Sequence, residues 1–141
     1  MPQPVRFPYQ SAGEPPFVLM PKLSLTLHNQ DRFVEVTGLL DTGSTVNVLP
    51  YQVGLNLGAI WDEQRQTVPL VGSLGQFEAR GLMLLASHPQ LTPTAPMELV
   101  FAWTKAEDVP LIFGQMNFFV TFDVCFYRSQ GFFEIHPHGS S

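Results

Sequence analysis

Charged side chains are scarce in this sequence, and basic ones are scarcer still. They make up 13% of the 141 residues, against a usual ~25%, and only seven residues are lysine or arginine. No basic stripe is present, which argues against a nucleic-acid partner. Hydrophobic residues make up 45% and include twelve phenylalanines, so we expect a folded domain that covers apolar surface by self-association. A weakly charged monomer is the alternative.

Cysteine, long apolar runs and cofactor motifs are also sparse. The single cysteine, Cys125, excludes an internal disulfide, and its apolar, strand-like surroundings predict a buried, inert thiol. No apolar run reaches the ~18 residues of a membrane span, and the first residues lack the apolar segment of a signal peptide. We therefore expect a soluble, cytoplasmic protein with no membrane partner. Phosphate-binding glycine loops and Gly-x-Ser-x-Gly are absent. His136 and His138 would share a strand face, but two ligands near a terminus make no metal site by themselves, so no cofactor or metal is implied.

Proline marks the first boundary in the chain. Five prolines fall within the first sixteen residues, so residues 1–21 are predicted to form an extended arm outside the core. Residues 22–136 have the length and composition of one domain with a single core, and residues 137–141 form a short tail.

Alternating apolar and polar residues predict strands through most of the domain, and no segment has a sustained 3.6-residue period. The pattern favours an all-β fold, a small closed barrel with one or two short helices. The predicted elements are hairpins at 23–36, 66–87 (with a glycine tip) and 120–137, strands at 97–103 and 109–114, and helical turns at 50–58 and 115–119.

One carboxylate stands in an otherwise apolar or small-residue run. Residues 39–50 read LLDTGSTVNVLP, and Asp41 is the only ionisable residue among them. A buried, unpaired carboxylate is unfavourable, so the fold must compensate for it. Asp41 capping the amides of a turn is one interpretation. The other is a pair of carboxylates from two copies of the chain, which share one proton and activate water.

The residues around Asp41 resemble the active-site strand and loop of retropepsins, the single-lobe aspartic peptidases of retroviruses and their cellular and bacterial relatives. The resemblance starts at 39–44 (LLDTGS) and continues in order along the chain. Residues 49–58 (LPYQVGLNLG) resemble the short helix of non-viral members, 70–77 (LVGSLGQF) the glycine-tipped flap, and 110–119 (PLIFGQMNFF) the second signature. Taken alone, the last two segments also fit an ordinary hairpin and a core strand.

The resemblance implies a barrel that is active as a symmetric homodimer. Asp41 from each chain forms the catalytic pair, and Thr42 bonds across the twofold axis. Gly43 lets the backbone approach the carboxylates, and Ser44 donates a hydrogen bond to the outer oxygen of Asp41. The implied flap residues are Val71, Gly72, Ser73, Leu74 and Gly75, and the implied pocket residues are Leu39, Val46, Val48, Pro110 and Ile112.

The implied function is an aspartic endopeptidase that cleaves a peptide or protein substrate between hydrophobic residues. One alternative is a catalytically silent module of the same fold that binds peptide or dimerises. Another is an inactive, precursor-like state in which the arm or the flap covers the cleft. The sequence departs from viral members where Thr45, Val46 and Asn47 replace acids and Gln115 replaces a base, so an ion pair that supports the site is predicted to be absent.

Overall fold

The computed structural model describes residues 3–12, 18–70, 75, 77–106 and 108–137. In these ranges no helix is long and apolar enough to cross a membrane. Two single-turn 3₁₀ helices cover Trp61–Glu63 and Arg128–Gln130. The other elements are β1 (Val5–Pro8), β2 (Gln10–Ala12), β3 (Val18–Met20), β4 (Lys22–Asn29), β5 (Arg32–Leu40), β6 (Asn47–Pro50), α1 (Tyr51–Asn56), β7 (Ala79–Ser87), β8 (Met97–Thr104), β9 (Ile112–Phe113), α2 (Phe118–Thr121), β10 (Asp123–Tyr127) and β11 (Phe132–His136).

Six strands close into a barrel in the order β4-β5-β9-β6-β8-β7, and β7 pairs back to β4. Antiparallel hairpins form the β4–β5 and β7–β8 pairs, whereas β9 runs parallel to β5 and antiparallel to β6. In β4, Leu23, Leu25 and Leu27 are at most 1% exposed and alternate with half-buried residues, which is the pattern of a strand with one face on a core. The predicted all-β fold, with a closed barrel and two short helices, is confirmed.

Aromatic side chains fill the core. Phe101, Phe113 and Phe118 are fully buried, and the Phe113 ring lies 5.0 Å from that of Phe118 and 6.4 Å from that of Phe101. Trp103 stacks on Tyr51 of α1 at 5.5 Å, and its Nε1 donates to the Tyr51 carbonyl oxygen at 3.0 Å. These contacts hold α1 against β8.

The proline-rich arm is extended but does not lie outside the core, which corrects the prediction. β1 pairs with β11 in a separate sheet of order β1-β11-β10, and β2 pairs with β3. Phe7 stacks on the buried Phe133 at 5.4 Å, and Tyr9 is only 9% exposed. Prolines had suggested a segment without pairing. Pro8, however, ends an edge strand, a position where a missing N–H is tolerated.

Cys125 is exposed, contrary to the predicted buried thiol. On β10 the neighbouring Val124 and Phe126 pair with the buried Ile135 and Phe133. Since side chains alternate along a strand, Cys125 takes the opposite face. The alternation was visible in the sequence, but which of the two faces met the core was not.

His88 fixes the loop that follows β7. Its Nδ1 accepts the backbone N–H of Gln90 at 3.1 Å, and its ring meets that of Phe7 edge-on at 5.5 Å. Burial lowers the pKa of His88, which favours the neutral ring that can accept this bond. The His88 ring therefore joins the loop to β1.

Residues 111–117 pass between the loop that follows β5 and the start of β6. Gly114 lies at the tightest point, where an added Cβ would stand 2.8 Å from the Ser44 carbonyl oxygen and closer still to that of Val46. Backbone hydrogen bonds join the two segments on both sides of Gly114: Leu39 N–H to Leu111 O (2.8 Å), Asp41 N–H to Phe113 O (3.0 Å), Gln115 N–H to Ser44 O (2.8 Å) and Met116 N–H to Thr45 O (2.9 Å).

We expect Gly114→Ala to lower the free energy of unfolding by about 3 kcal/mol, because the new methyl group meets backbone atoms that cannot rotate away. Urea unfolding followed by circular dichroism measures the change. Gly81→Ala is the matched control, since its Cβ would have its closest contact at 3.7 Å and should change stability little. Equal stability of the two variants would contradict the close approach at Gly114.

Tyr9→Ala tests whether the arm belongs to the core. Removing this buried ring should cost about 3 kcal/mol of unfolding free energy, as large core truncations do. The control is Phe33→Ala, which removes a ring that is 72% exposed and should cost about 1 kcal/mol or less. If Tyr9→Ala were no worse than Phe33→Ala, the arm would not contribute to the core.

Candidate active site

Asp41 stands where β5 ends and the chain turns toward β6. Its N–H donates to the Phe113 carbonyl oxygen at 3.0 Å, and its own carbonyl oxygen accepts the Ser44 N–H at 3.1 Å, which closes the turn. Its carboxylate oxygen Oδ1 accepts the Gly43 N–H at 2.9 Å. A Cβ at residue 43 would lie 3.2 Å from the same Oδ1, so glycine suits this approach. The loop thus orients the half-buried carboxylate by its own backbone.

The Asp41 carboxylate has no cationic partner within the parts of the chain that the structure describes. The ion pairs there involve Arg6 with Glu134, and Arg80 with Asp62 and Glu78. Hydrogen bonding to Asp41 from the same described residues reaches Oδ1 alone, through Gly43. Among the described residues, one carboxylate oxygen is therefore held by the backbone and the other accepts no hydrogen bond.

Ser44 and Thr42 bond differently from what the resemblance implied. The Ser44 hydroxyl donates to the Val46 carbonyl oxygen at 2.7 Å and not to Asp41, which corrects the expected bond. A serine hydroxyl readily bonds backbone two residues along in a turn, and this local contact takes precedence in the single chain. The Thr42 side chain is exposed, and a bond from it across a twofold axis needs a second chain.

Gln115 supports the loop without charge. Its Nε2 donates to the Thr42 carbonyl oxygen at 2.7 Å. This amide hydrogen bond links the 41–46 loop to the 111–117 segment. A glutamine beside the second-signature glycine could have signalled this, because its side chain can reach backbone that a shorter one cannot.

Two amide side chains, the buried Asn47 and the half-buried Asn117, support the site and were not predicted to belong to it. Asn47 is fully buried, and its Oδ1 accepts the Gly114 N–H at 2.8 Å. Asn117 receives a hydrogen bond from Asn47 Nδ2 at 3.1 Å. The signal was an asparagine in the apolar run VNVLP, since a buried polar group must find partners.

Three of the predicted pocket residues lie in one row across the barrel wall. Ile112 pairs with Leu39 on one side and with Val48 on the other. Because side chains alternate along strands, the row faces away from the main core, which contains the next residue of each strand. Those core residues are Leu40, Phe113 and Leu49. Of these side chains, Val48 is 2% exposed, Ile112 is 9% exposed and Leu39 is half-buried. Leu39, the first residue of the row, lies two positions before Asp41 in sequence.

The other predicted pocket residues lie at the edges of this row. Val46 is half-buried and forms a bridge with Met116, and Pro110 is exposed just before β9.

The predicted flap is described only in part. Val71, Gly72, Ser73 and Leu74 lie outside the described residues, and Gly75 is an exposed turn residue. The base of the hairpin is present, because Thr67 bridges Arg80 and the Val68 N–H donates to the Ala79 carbonyl oxygen at 2.9 Å.

We compared the chain with known protein families, sequences and structures. No family model matches the chain, and no curated protein matches its sequence. Among solved structures, the chain is similar to a retropepsin-like aspartic protease from Rickettsia conorii, with a TM-score of 0.61 and 11% sequence identity. The alignment covers 94% of this chain and 93% of that chain. At this identity the shared property is the fold, and the resemblance to retropepsins that the sequence motifs predicted is confirmed at that level.

Proposed function

We propose that the protein is an aspartic endopeptidase whose active unit is a symmetric homodimer with one Asp41 from each chain. The observation that carries this proposal is the Asp41 carboxylate, which is oriented on one oxygen and unpaired with any described cation at the end of a barrel strand. It occurs in a chain with a retropepsin-like fold, in the Asp-Thr-Gly-Ser stretch by which the sequence resembles retropepsins.

Two carboxyls in contact can divide the chemistry of hydrolysis. Like charges at contact distance do not both ionise, so the pair holds one proton. The ionised carboxylate takes a proton from water as the water oxygen bonds to the peptide carbonyl carbon. The protonated carboxyl donates a hydrogen bond to the carbonyl oxygen. The C–N bond then breaks, the amine nitrogen takes a proton from the pair, and the starting state returns. General acid–base action of this kind contributes roughly 10²–10⁴-fold.

The substrate we propose is a peptide in extended form with hydrophobic residues at the cleaved bond. The row formed by Leu39, Ile112 and Val48 supports this, since it is apolar and begins beside Asp41. Val46 and Pro110 extend the same wall at its edges. We propose that residues 71–75, the flap that the sequence resemblance implies, close over the peptide and exclude water.

An unpaired strand edge on β10 supports the proposal that two copies of the chain form a dimer. Within the described ranges β10 pairs on one side only, with β11. The opposite edge of this sheet, β1, carries Pro8 and Arg6, residues that discourage further pairing. β10 has no proline, lysine or arginine, and its Cys125, Phe126 and Tyr127 are exposed. We propose that β10 pairs with its symmetry mate and so joins the two sheets.

The contacts of the N-terminal arm argue against the inactive, precursor-like alternative in which this arm covers the cleft. Residues 5–8 of the arm are paired with β11, and Tyr9 is buried in the core, so this part is not free to cover a cleft. Among the described residues, no feature favours a catalytically silent module that only binds peptide or dimerises. Such a module would not need an oriented Asp41 carboxylate.

Asp41→Asn should abolish hydrolysis of an unfolded protein and leave the fold intact, because an amide cannot take a proton from water. If both chains supply an Asp41, activity after unfolding and refolding wild type with this variant should follow the square of the wild-type fraction. An equal mixture should then retain about a quarter of the activity. Asp31→Asn, at the exposed β4–β5 turn, is the control. A linear dependence on the wild-type fraction would show that one chain suffices.

Cys125→Lys tests the proposed edge. Two lysines near the axis of a β10–β10 pair repel each other, so sedimentation should show a shift from dimer to single chains. Activity should fall at low protein concentration and recover at high concentration. Gln130→Lys, exposed just beyond β10, adds the same charge as a control. An unchanged dimer in Cys125→Lys would place the interface elsewhere without affecting the role of Asp41.

A further inference from the structure

Asn47 has one orientation available to its side-chain amide. Oδ1 accepts the Gly114 N–H at 2.8 Å, and Nδ2 donates to the Val100 carbonyl oxygen at 3.0 Å and to Asn117 Oδ1 at 3.1 Å. A flipped amide would turn two donors toward each other and oxygens toward oxygens. Because Asn47 is fully buried, no water is at hand to replace a lost partner.

Asn117 continues the connection to β8. Its Oδ1 accepts the Val100 N–H at 3.2 Å, and its Nδ2 donates to the Glu98 carbonyl oxygen at 3.0 Å. The Asn47 N–H also donates to the Met116 carbonyl oxygen at 3.1 Å. The two amides therefore tie β6, β8 and the 111–117 segment together at one point, which we call the amide brace (Asn47 and Asn117).

The amide brace is connected to the Asp41 loop through Gly114 and its two neighbours. It holds Gly114, and the residues on either side of Gly114 bond to the Asp41 loop. On one side the Phe113 carbonyl oxygen accepts the Asp41 N–H at 3.0 Å, and on the other the Gln115 N–H donates to the Ser44 carbonyl oxygen at 2.8 Å. A shift of Gly114 would move both contacts, and with them the direction of the carboxylate.

We propose that Asn47 and Asn117 are positioning residues for Asp41, and that they hold the loop with uncharged groups so that the support does not change with pH. The catalytic part of this inference rests on the proposed function, because a carboxyl pair that shares a proton works in the acid range. A brace built from a carboxylate would lose its charge there.

Few charges lie around the amide brace. The elements that contact it are β6, β8, α2, the 111–117 segment and the 41–46 loop. Their ionisable side chains are Glu98, which is exposed and contacts the brace through its backbone carbonyl, and Asp41 itself. A new charge at Asn47 would therefore be buried with no described cation on these elements to offset it.

Asn47→Asp is the informative change because it makes the brace titratable without changing its shape. The protonated carboxyl can accept from Gly114 and donate to one of its two former acceptors. The ionised carboxyl instead turns an oxygen toward the Val100 carbonyl and Asn117 Oδ1, without cationic compensation. Burial and these facing oxygens raise the pKa of the introduced carboxyl, so the variant loses stability as the pH rises through that value.

The experiment compares wild type, Asn47→Asp and Asn56→Asp near pH 4 and near pH 8. Asn56 is exposed on α1, so its variant carries the same added charge without touching the brace. The measurements are the thermal midpoint and the amide hydrogen-exchange protection at Asp41 and Gln115 at both pH values. kcat and KM on an apolar peptide are measured near pH 4 and at the highest pH at which wild type still cleaves it. Near pH 4 Asn47→Asp should differ only slightly from the other two proteins, because one of its two former acceptors loses a donor. Near pH 8, amide protection of Asn47→Asp should fall about tenfold. Its kcat relative to wild type should fall by up to about tenfold toward the upper pH limit of wild-type activity, with KM within about twofold.

Asn117→Asp is the second variant in case Asn47→Asp does not fold near pH 8. It keeps the acceptor for Val100 and loses only the donor to Glu98, so the same changes should appear in weaker form. The proposal is overturned if Asn47→Asp matches wild type near pH 8. It is also overturned if the thermal midpoint falls while Asp41 protection and kcat stay unchanged, because the role is then only structural. A wild type without peptidase activity removes the proposed function, and Asp41 protection still decides the brace.

Discussion

The rest of the structure depends on hydrogen bonding between two segments about seventy residues apart in sequence. The end of β5 with the loop that follows it (39–45) and the segment from Leu111 to Asn117 share backbone hydrogen bonds on both sides of Gly114. These bonds set the parallel β5–β9 pair and, through it, the closure of the barrel. The same bonds fix the Asp41 backbone. Barrel closure and carboxylate orientation are thus one constraint, and a change that separates the segments affects both.

Local patterns were enough to predict the hairpins and the loop around Asp41. The β4–β5 and β10–β11 hairpins follow from alternation and turn residues that lie within the hairpins themselves. The alternation of apolar and polar residues does not show which other element packs against each face of a strand. Tyr9 was assigned to an arm outside the core because Phe133, the β11 ring that it meets, lies more than one hundred residues away in sequence. Cys125 was assigned to the buried face for the same reason.

The amides of the site were missed because their role depends on contacts across the fold. Asn47 looks like an ordinary polar residue in a short strand until Gly114 and Val100 meet it. No acid follows Asp-Thr-Gly in the sequence, so the ion pair that supports the active-site loop in viral members was expected to be missing. A buried ion pair carries a large desolvation cost, and a neutral amide such as Asn47, whose donors and acceptor have partners, avoids it. Gln115 and the amide brace together supply a support of this neutral kind.

Symmetry sets a further condition on the proposed reaction. In a dimer of identical chains, each Asp41 has the same loop, the same Gly43 N–H and the same second-signature segment behind it. The surroundings therefore cannot mark one carboxyl as the acid and the other as the base, as unequal surroundings do in other carboxylate pairs. The difference has to come from the shared proton and from the bound peptide, which breaks the symmetry by its own direction. A support that does not titrate fits this condition, because it leaves the proton between the two Asp41 carboxyls as the variable that assigns their roles.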